Sequence, residues 1–382
     1  MSFSSKIKDF YTNHFGGEFI LVFSPGRINL IGEHTDYNDG FVFPAAIDKG
    51  IYAAIGKSSS GESTAFAMDL DESYTFSTED SDHENTGSWK NYIIGVVEEI
   101  KKTEKNVPNF NMVFSGDIPE GSGLSSSAAL ENSVVFGLNE LFDLQLTRED
   151  MIVISQKAEH NYVGVKCGIM DQYASMFGQK DKALLLDCRT IKSEPYPVEL
   201  GNYELLLINT NVKHNLSESA YNNRRAVCEN VAELLNVDAL RDASEDDLKT
   251  IQSKLSKEDY NKASYVIREN SRVEKAAKVL RSKDIKQLGN LLFDTHSDLK
   301  DNYRVSCDEL DFLVDKAMEA PSVIGARMMG GGFGGCTINI VLKDDKSAFI
   351  EQVTKTYKNK FNRECSIYEV KIEQGTHLLE TN

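Results

Sequence analysis

Residues 109–142 read NFNMVFSGDIPEGSGLSSSAALENSVVFGLNELF, and the change of pattern within that stretch decides the fold class. Residues 109–118 predict a strand closed by polar turn formers. From Ser125 onward Ala128, Val135, Leu138 and Phe142 recur at spacings of seven, three and four, one face of an amphipathic helix. Between them lies Pro119-Glu120-Gly121-Ser122-Gly123-Leu124-Ser125-Ser126-Ser127. Glycines let such a loop wrap, and the first helical turn presents free N–H groups at the positive end of the helix dipole. The hydroxyls can bond phosphate or ligate Mg²⁺. That is the chemistry of a triphosphate cradle; a serine-rich N-cap after a flexible turn is the alternative reading.

Two other glycine-rich segments compete and fail on their flanks. Around Gly56-Lys57-Ser58 a Walker A loop needs glycine where Ile51 stands, since Gly50 is one residue too far. Gly330-Gly331-Gly332-Phe333-Gly334-Gly335 contains G-x-G-x-x-G but precedes a strand-like CTINIVL instead of opening a helix, so it is not a dinucleotide fingerprint. Five glycines in six there imply a backbone that comes very close to a ligand or to another segment.

Outward from the loop, EFILVFS (18–24), the region 51–56, KALLLDC (182–188), ELLLINTNV (204–212), CTINIVL (336–342) and ECSIYEVKIE (364–373) read as strands. Helical patterns cover 88–102, 217–236, 264–281, 286–301, 306–320 and 347–361. The acidic stretch 71–87 reads as a solvated loop. There is no fixed-period repeat and no long linker. With 382 residues the length suggests two or three domains at roughly 150 residues each, and the pattern places a boundary near residue 180, giving units 1–180 and 181–382.

Composition narrows the function classes. Hydrophobic residues at 41% and charged residues at 26% fit a folded globular protein. A net charge of −17, from 42 basic and 59 acidic side chains, argues against nucleic acid or an anionic membrane as partner, since both attract cations. Six scattered cysteines without C-x-x-C read as free thiols of a reducing compartment. The N-terminal MSFSSKIKDFYTNHFGGEF lacks the apolar core of a signal peptide, and no run approaches the ~18 apolar residues of a membrane span, so a cytoplasmic location is expected.

Ser24–Gly40, SPGRINLIGEHTDYNDG, sets Arg, Asn, Glu, His and Asp among turn formers after a strand. A loop with that many distinct hydrogen-bonding groups suits a polyhydroxylated ligand, and a solvated turn is the alternative. Glu159 and Asp171 stand twelve residues apart in AEHNYVGVKCGIMDQ. As isolated acids they read more readily as surface residues than as site residues.

Taken together, PGRINLIGEHTDYNDG, PEGSGLSSSAA, AEHNYVGVKCGIMDQ, NTNVKHNLSESAYNNRR and GARMMGGGFGGCTI resemble the galactokinases of the GHMP small-molecule kinase superfamily. The resemblance spans nearly the whole chain. It implies an α+β fold of two lobes with the active site in the cleft between them, and transfer of phosphate from ATP to the C1 hydroxyl of D-galactose. That reaction is the first committed step of galactose catabolism. By the same resemblance Asp171 and Arg27 take the catalytic places, and Glu33, His34, Thr35, Asp36 and Tyr221 the sugar-binding places. Gly121, Ser122, Gly123, Leu124, Ser125, Ser126 and Ser127 match the ATP phosphate loop, with Ser127 and Glu159 as Mg²⁺ ligands and Ser126 as rival for the hydroxyl role. Residues 325–335 match the motif that packs on that loop. Met329 and Gly331 depart from the Thr and Ala of the commoner R-M-T-G-A-G, which removes a threonine hydroxyl from the backbone support expected there.

The implied chemistry needs in-line placement and neutralisation of charge more than covalent help. Asp171 would accept or orient the C1 hydroxyl proton, and Arg27 would pair with it and stabilise charge near the transferring group. Asp36 and Tyr221 are the candidates for reading the axial 4-hydroxyl, because a polar site rejects an epimer by leaving its own groups unpaired. A kinase for N-acetylgalactosamine or galacturonate is the nearer alternative. A non-catalytic galactose and ATP sensor is the more distant one, disfavoured by the intact Ala128-Ala129, Asp171 and Arg27. No obligate protein partner is implied.

Overall fold

The computed structural model describes residues 3–80, 87–119, 121–212 and 217–380. Helix α1 (Phe3–His14) leads into strands β1 (Ile20–Asn29), β2 (Phe41–Val42), β3 (Pro44–Lys57), β4 (Ser63–Ala67) and β5 (Glu72–Phe76). Helix α2 (Lys90–Lys101), strand β6 (Phe110–Gly116) and helices α3 (Ser126–Phe142), α4 (Arg148–Ala158) and α5 (Met170–Phe177) follow. The second half runs β7 (Lys182–Asp187), β8 (Lys192–Pro197), β9 (Tyr203–Asn209), α6 (Ser217–Leu235), α7 (Glu245–Thr250), α8 (Lys257–Arg281), α9 (Ile285–Asp298) and α10 (Asp308–Glu319). It closes with β10 (Val323–Met328), β11 (Cys336–Leu342), α11 (Lys346–Phe361), β12 (Ser366–Glu369) and β13 (His377–Leu379).

Six strands in the order β13-β1-β3-β6-β4-β5 form the first sheet, antiparallel except where β4 runs parallel to β6. Its two faces are set by strand alternation. Val22, Ile55 and Met112 pack with Ile93, Val97, Val134 and Leu138 of α2 and α3, whereas Leu21, Ala54 and Val113 pack with Ile7 and Tyr11 of α1. The second sheet, β10-β11-β9-β12, is likewise covered on both faces. Leu206, Ile208 and Val341 meet Leu313, Phe349 and Val353 of α10 and α11. Leu207, Ile338 and Ile340 turn the other way, into a core shared with Ile28, Leu30, Phe43 and Leu124 of the first half and with Val273 and Leu292 of α8 and α9. That shared core joins the two lobes of an α+β fold directly beneath the glycine-rich loops.

Three expectations change. The acidic stretch is not all loop, because Glu72–Phe76 is an edge strand in which Phe76 reaches the core and Tyr74 packs half-buried against it, while Glu72, Ser73 and Thr75 stay in solvent; residues 81–86 lie outside the described residues. The last strand is shorter than 364–373, covering Ser366–Glu369, and Ile372 makes an isolated bridge to Ile47. The chain also crosses the expected boundary at residue 180 twice: β7 pairs with β2, and β13 returns to pair with β1. A three-residue strand such as β13 carries too little pattern to be read without its partner. All six cysteines are free, and no helix among the described residues is long and apolar enough to cross a membrane.

The second glycine loop is aimed by packing behind it. Gly289 of α9 lies on Gly325 of β10 backbone to backbone, and a Cβ on Gly289 would stand 1.9 Å from the Ile324 carbonyl oxygen. Gly289→Ala should therefore push α9 off β10 and lower stability by about 1–3 kcal/mol. Gly61→Ala, which meets open space, should stay within about 0.5 kcal/mol. Urea denaturation of both variants checks this, and equal midpoints would refute the close-packing argument.

Candidate active site

The site is assembled around Arg27, which lies on a strand where the sequence suggested a loop. Strand β1 continues past Ser24 to Asn29, with its register against β3 shifting between Pro25 and Arg27. Such an irregularity accommodates a proline that cannot donate to the ladder, and it re-aims the next side chain. Gly26 is needed there because a Cβ would stand 2.6 Å from the Leu124 carbonyl oxygen. The adjacent Arg27 N–H donates to that same oxygen at 3.1 Å. The guanidinium then forks onto Asp171, Nε to Oδ1 at 2.9 Å and Nη2 to Oδ2 at 3.2 Å, while Nη1 donates to the Gly123 carbonyl at 2.5 Å. The expected catalytic pair is thus a bidentate contact tied to the glycine-serine loop. Asp171 sits in the first turn of α5, where the helix dipole favours an anion.

The loop Gly121–Ser127 is a backbone cradle more than a set of side chains. Gly121 and Gly123 take left-handed φ of 66° and 71°, and so does Ser125 at 61°, as N-cap of α3. No serine hydroxyl caps that helix. Ser125 Oγ instead donates to Asp171 Oδ2 at 2.5 Å, and Ser122 Oγ turns back to the Pro119 carbonyl at 2.6 Å. The N-cap alternative is therefore set aside, and the first-turn N–H groups keep their capacity for an anion. Leu124 is not positioned as a ligand through its side chain, which is 1% exposed in the inter-lobe core. Glu120 lies outside the described residues.

The second glycine loop packs on the first, as the close-approach argument required. A Cβ on Gly123 would meet the Met329 carbonyl at 3.3 Å, and one on Gly335 the Ser122 carbonyl at 3.3 Å. The two departures from the family pattern are accommodated. Met329 N–H donates to the Cys336 carbonyl at 2.9 Å and its sulfur faces the Asn29 N–H at 3.5 Å. A Cβ on Gly331 would make only ordinary contact with the Tyr221 ring at 3.5 Å.

Arg27, Glu33, His34, Asp36, Asp171, Glu159 and Tyr221 all line one pocket of about 130 Å³, with Cys167, Met170 and Gly331 also in its wall. Thr35 does not join them. Its hydroxyl points at the Gly32 and Phe41 carbonyls, 2.9 and 2.7 Å away, and shapes the loop instead. Burial pushes the Glu33 carboxyl up, but the charges of Arg327 and Arg27 outweigh it and hold the group below the ordinary range. Arg327, wholly buried, donates to Glu33 Oε1 at 3.0 Å and to the Leu30 carbonyl at 2.9 Å. Arg327 lies in the matched segment 325–335 but had no role assigned to it, because a single arginine beside glycines has no pattern of its own.

Asp36 is pushed up to about 7 by burial and then by the charge of Asp171. Its carboxylate lies where a Cβ on Gly168 would be, 2.1 Å from Oδ2, which explains that glycine in CGIMDQ. Glu159 is also raised to about 7, by burial and by Asp171, with the Ser127 hydroxyl hydrogen-bonded to it. It begins a π-helical turn, Glu159–Val163, a distortion common at functional sites. Gln172 Nε2 reaches Glu159 Oε2 at 3.0 Å and Glu131 Oε2 at 3.3 Å. Ser127 and Glu159 offer two hard oxygen ligands, and among the described residues no group of three His, Cys, Asp or Glu converges as a metal cage. Two protein oxygens beside the glycine-serine loop fit Mg²⁺, an ion that takes few protein ligands and keeps waters or substrate oxygens in its remaining positions.

Comparison with known proteins agrees with this geometry. Three family models match: the galactokinase galactose-binding signature over residues 9–57, the GHMP kinases N terminal domain over 91–179 and the GHMP kinases C terminal over 276–359. The chain is 40% identical over 364 residues to a galactokinase of Clostridium beijerinckii, covering 93% of this chain and 94% of that one. It is 40% identical over 353 residues to one from Thermosipho africanus, covering 92% and 97%. The crystal structure of Lactococcus lactis galactokinase complexed with galactose superposes with a TM-score of 0.93 at 35% identity, covering 98% and 99%. Methanococcus jannaschii mevalonate kinase shares the fold, with a TM-score of 0.66 at 18% identity over 94% and 99%. With its signature motifs folded around one cleft and relatives of this similarity along its whole length, the chain belongs to the galactokinase family of GHMP kinases.

Proposed function

We propose that the protein transfers the γ-phosphoryl group of ATP to the C1 hydroxyl of D-galactose, giving α-D-galactose 1-phosphate and ADP, and that it works in the cytoplasm. One observation carries this reading: Arg27 joins Asp171 on the sugar side to the Gly123 carbonyl of the phosphate loop, so acceptor and donor substrates would meet at one guanidinium. Asp171 would take or orient the C1 hydroxyl proton, with Ser125 and Arg27 fixing both of its oxygens. Arg27 would also stabilise charge on the transferring group. The backbone N–H groups at the start of α3 would hold phosphate oxygens. Ser127 and Glu159 would hold Mg²⁺, which when bound neutralises the β- and γ-phosphates. Asp36 and Tyr221, both on the pocket wall, support discrimination of the axial 4-hydroxyl.

A panel of hexoses in a coupled ADP-release assay tests the substrate. Galactose should turn over while glucose and mannose do not, and comparable turnover of N-acetylgalactosamine or galacturonate would reassign it. Asp171→Asn keeps shape but removes charge and basicity, so galactose should still bind while kcat falls by ~10²-fold or more. Near-normal kcat in that variant would end the role given to Asp171.

The raised Asp36 carboxyl has a stability consequence with a defined sign. Its folded value of about 7 lies above that of an unfolded aspartate, so its contribution is full at low pH and is lost as pH rises toward 7. Without ligand, Asp36→Asn should therefore gain stability relative to the parent between about pH 4 and 7, by on the order of 3 kcal/mol across the window. Urea midpoints at both pH values read the difference, and a difference that does not grow with pH would mean Asp36 is already ionised.

A further inference from the structure

Behind His34 lies a line of hydroxyls that the reaction above leaves unused. Tyr37 Oη is 2.8 Å from His34 Nδ1 and 2.6 Å from Tyr303 Oη, and Cys228 Sγ is 3.7 Å from Tyr303 Oη. Tyr303 and Cys228 are fully buried, and they come from the second lobe, from a π turn after α9 and from α6. Each tyrosine has one proton, so the line can be ordered in only two ways. Either the tyrosines pass their protons toward Nδ1, or Nδ1–H starts the chain in the opposite direction.

The far side of the imidazole decides between them. The Gly331 backbone beside the ring favours an N–H on the nitrogen that Tyr37 does not occupy. Nε2 makes no full hydrogen bond within the protein although it is buried, and His34 lines the sugar pocket. A buried donor with no partner is costly unless a ligand meets it. Burial, helped by the charge of Arg224, also lowers the imidazole to about 4, so the ring is neutral and has a single N–H to place.

We infer that Tyr37 and Tyr303 are positioning residues for sugar recognition: the ordered chain from Tyr303 through Tyr37 holds His34 as its Nε2–H tautomer, a fixed donor to one hydroxyl of the substrate. The inference deepens the functional reading above and rests on His34 facing the sugar. Its physical content is that a second-lobe hydroxyl, with no contact to the ligand, sets the hydrogen-bond polarity of a first-lobe pocket residue. A neutral imidazole could otherwise present either a donor or an acceptor, and a site that must discriminate hydroxyls gains from having only one.

Two-bond ¹H–¹⁵N correlation spectra of the full-length, histidine-labelled protein test this directly, with His34→Gln assigning the resonance. The ligand-free parent should show His34 protonated at Nε2, with Nδ1 unprotonated and hydrogen-bonded. Tyr37→Phe should move the Nδ1 resonance to that of an unbonded nitrogen and raise the KM for galactose about tenfold, with kcat within about twofold. Tyr303→Phe should move both in the same direction by less. An Nδ1–H tautomer in the parent overturns the proposal even if no variant folds, and so does a Tyr37→Phe variant with unchanged Nδ1 resonance and KM. Galactose should perturb Nε2 on titration. If the tautomer is as stated but galactose leaves Nε2 unmoved, it is the placement of His34 against the sugar that fails.

Discussion

Everything in the cleft is referenced to one buried guanidinium. Arg27 is committed on three sides, to both oxygens of Asp171, to the Gly123 carbonyl and, through its own N–H, to the Leu124 carbonyl. A planar fork with fixed donor directions can hold a carboxylate and a loop at once, which a point charge on a flexible stem cannot. The register shift in β1, the missing side chain at Gly26 and the inter-lobe core beneath it all follow from the need to bring that group to that place. Arg27 belongs to the first sheet, while Leu124, the residue it bonds through its backbone, is packed in the core shared with the second.

The second constraint is an excess of negative charge. Asp36, Glu159 and Glu131 are all held above the usual carboxylate range, each with burial as the main cause and neighbouring acids adding to it. Arg327 relieves this at Glu33, and Arg27 pairs with Asp171. The remaining acids are left with neutral donors such as Ser127 and Gln172. The Ser127 hydroxyl and the Glu159 carboxyl set two hard oxygens side by side next to the glycine-serine loop, a donor pair that suits a hard cation.

Much of this was legible in the residues. The glycine and serine loop could be read because its chemistry needs small residues and hydroxyls between a strand and a helix. The five glycines at 330–335 could be read as a close backbone approach, since only absent side chains allow one. What misled was local. Pro25-Gly26 reads as a turn, yet it lies within β1, since a proline at a bulge leaves no ladder bond unmade. Thr35 reads as one more polar group in a recognition loop, but its hydroxyl is used to close that loop.

By itself, then, the sequence determined which segments could carry the chemistry, because loop flexibility, helix dipoles and hydrogen-bonding capacity are properties of residue types in order. It also determined the alternation that makes each sheet two-faced. Only the tertiary structure decided which atoms meet: Arg327 behind Glu33, Ser125 on Asp171 instead of capping α3, and Tyr303 in line with Tyr37 and His34. These pairs are separated by 294, 46 and 266 positions along the chain. At such separations a contact has no local period to announce it, and its geometry exists only once both sheets have packed on their common core.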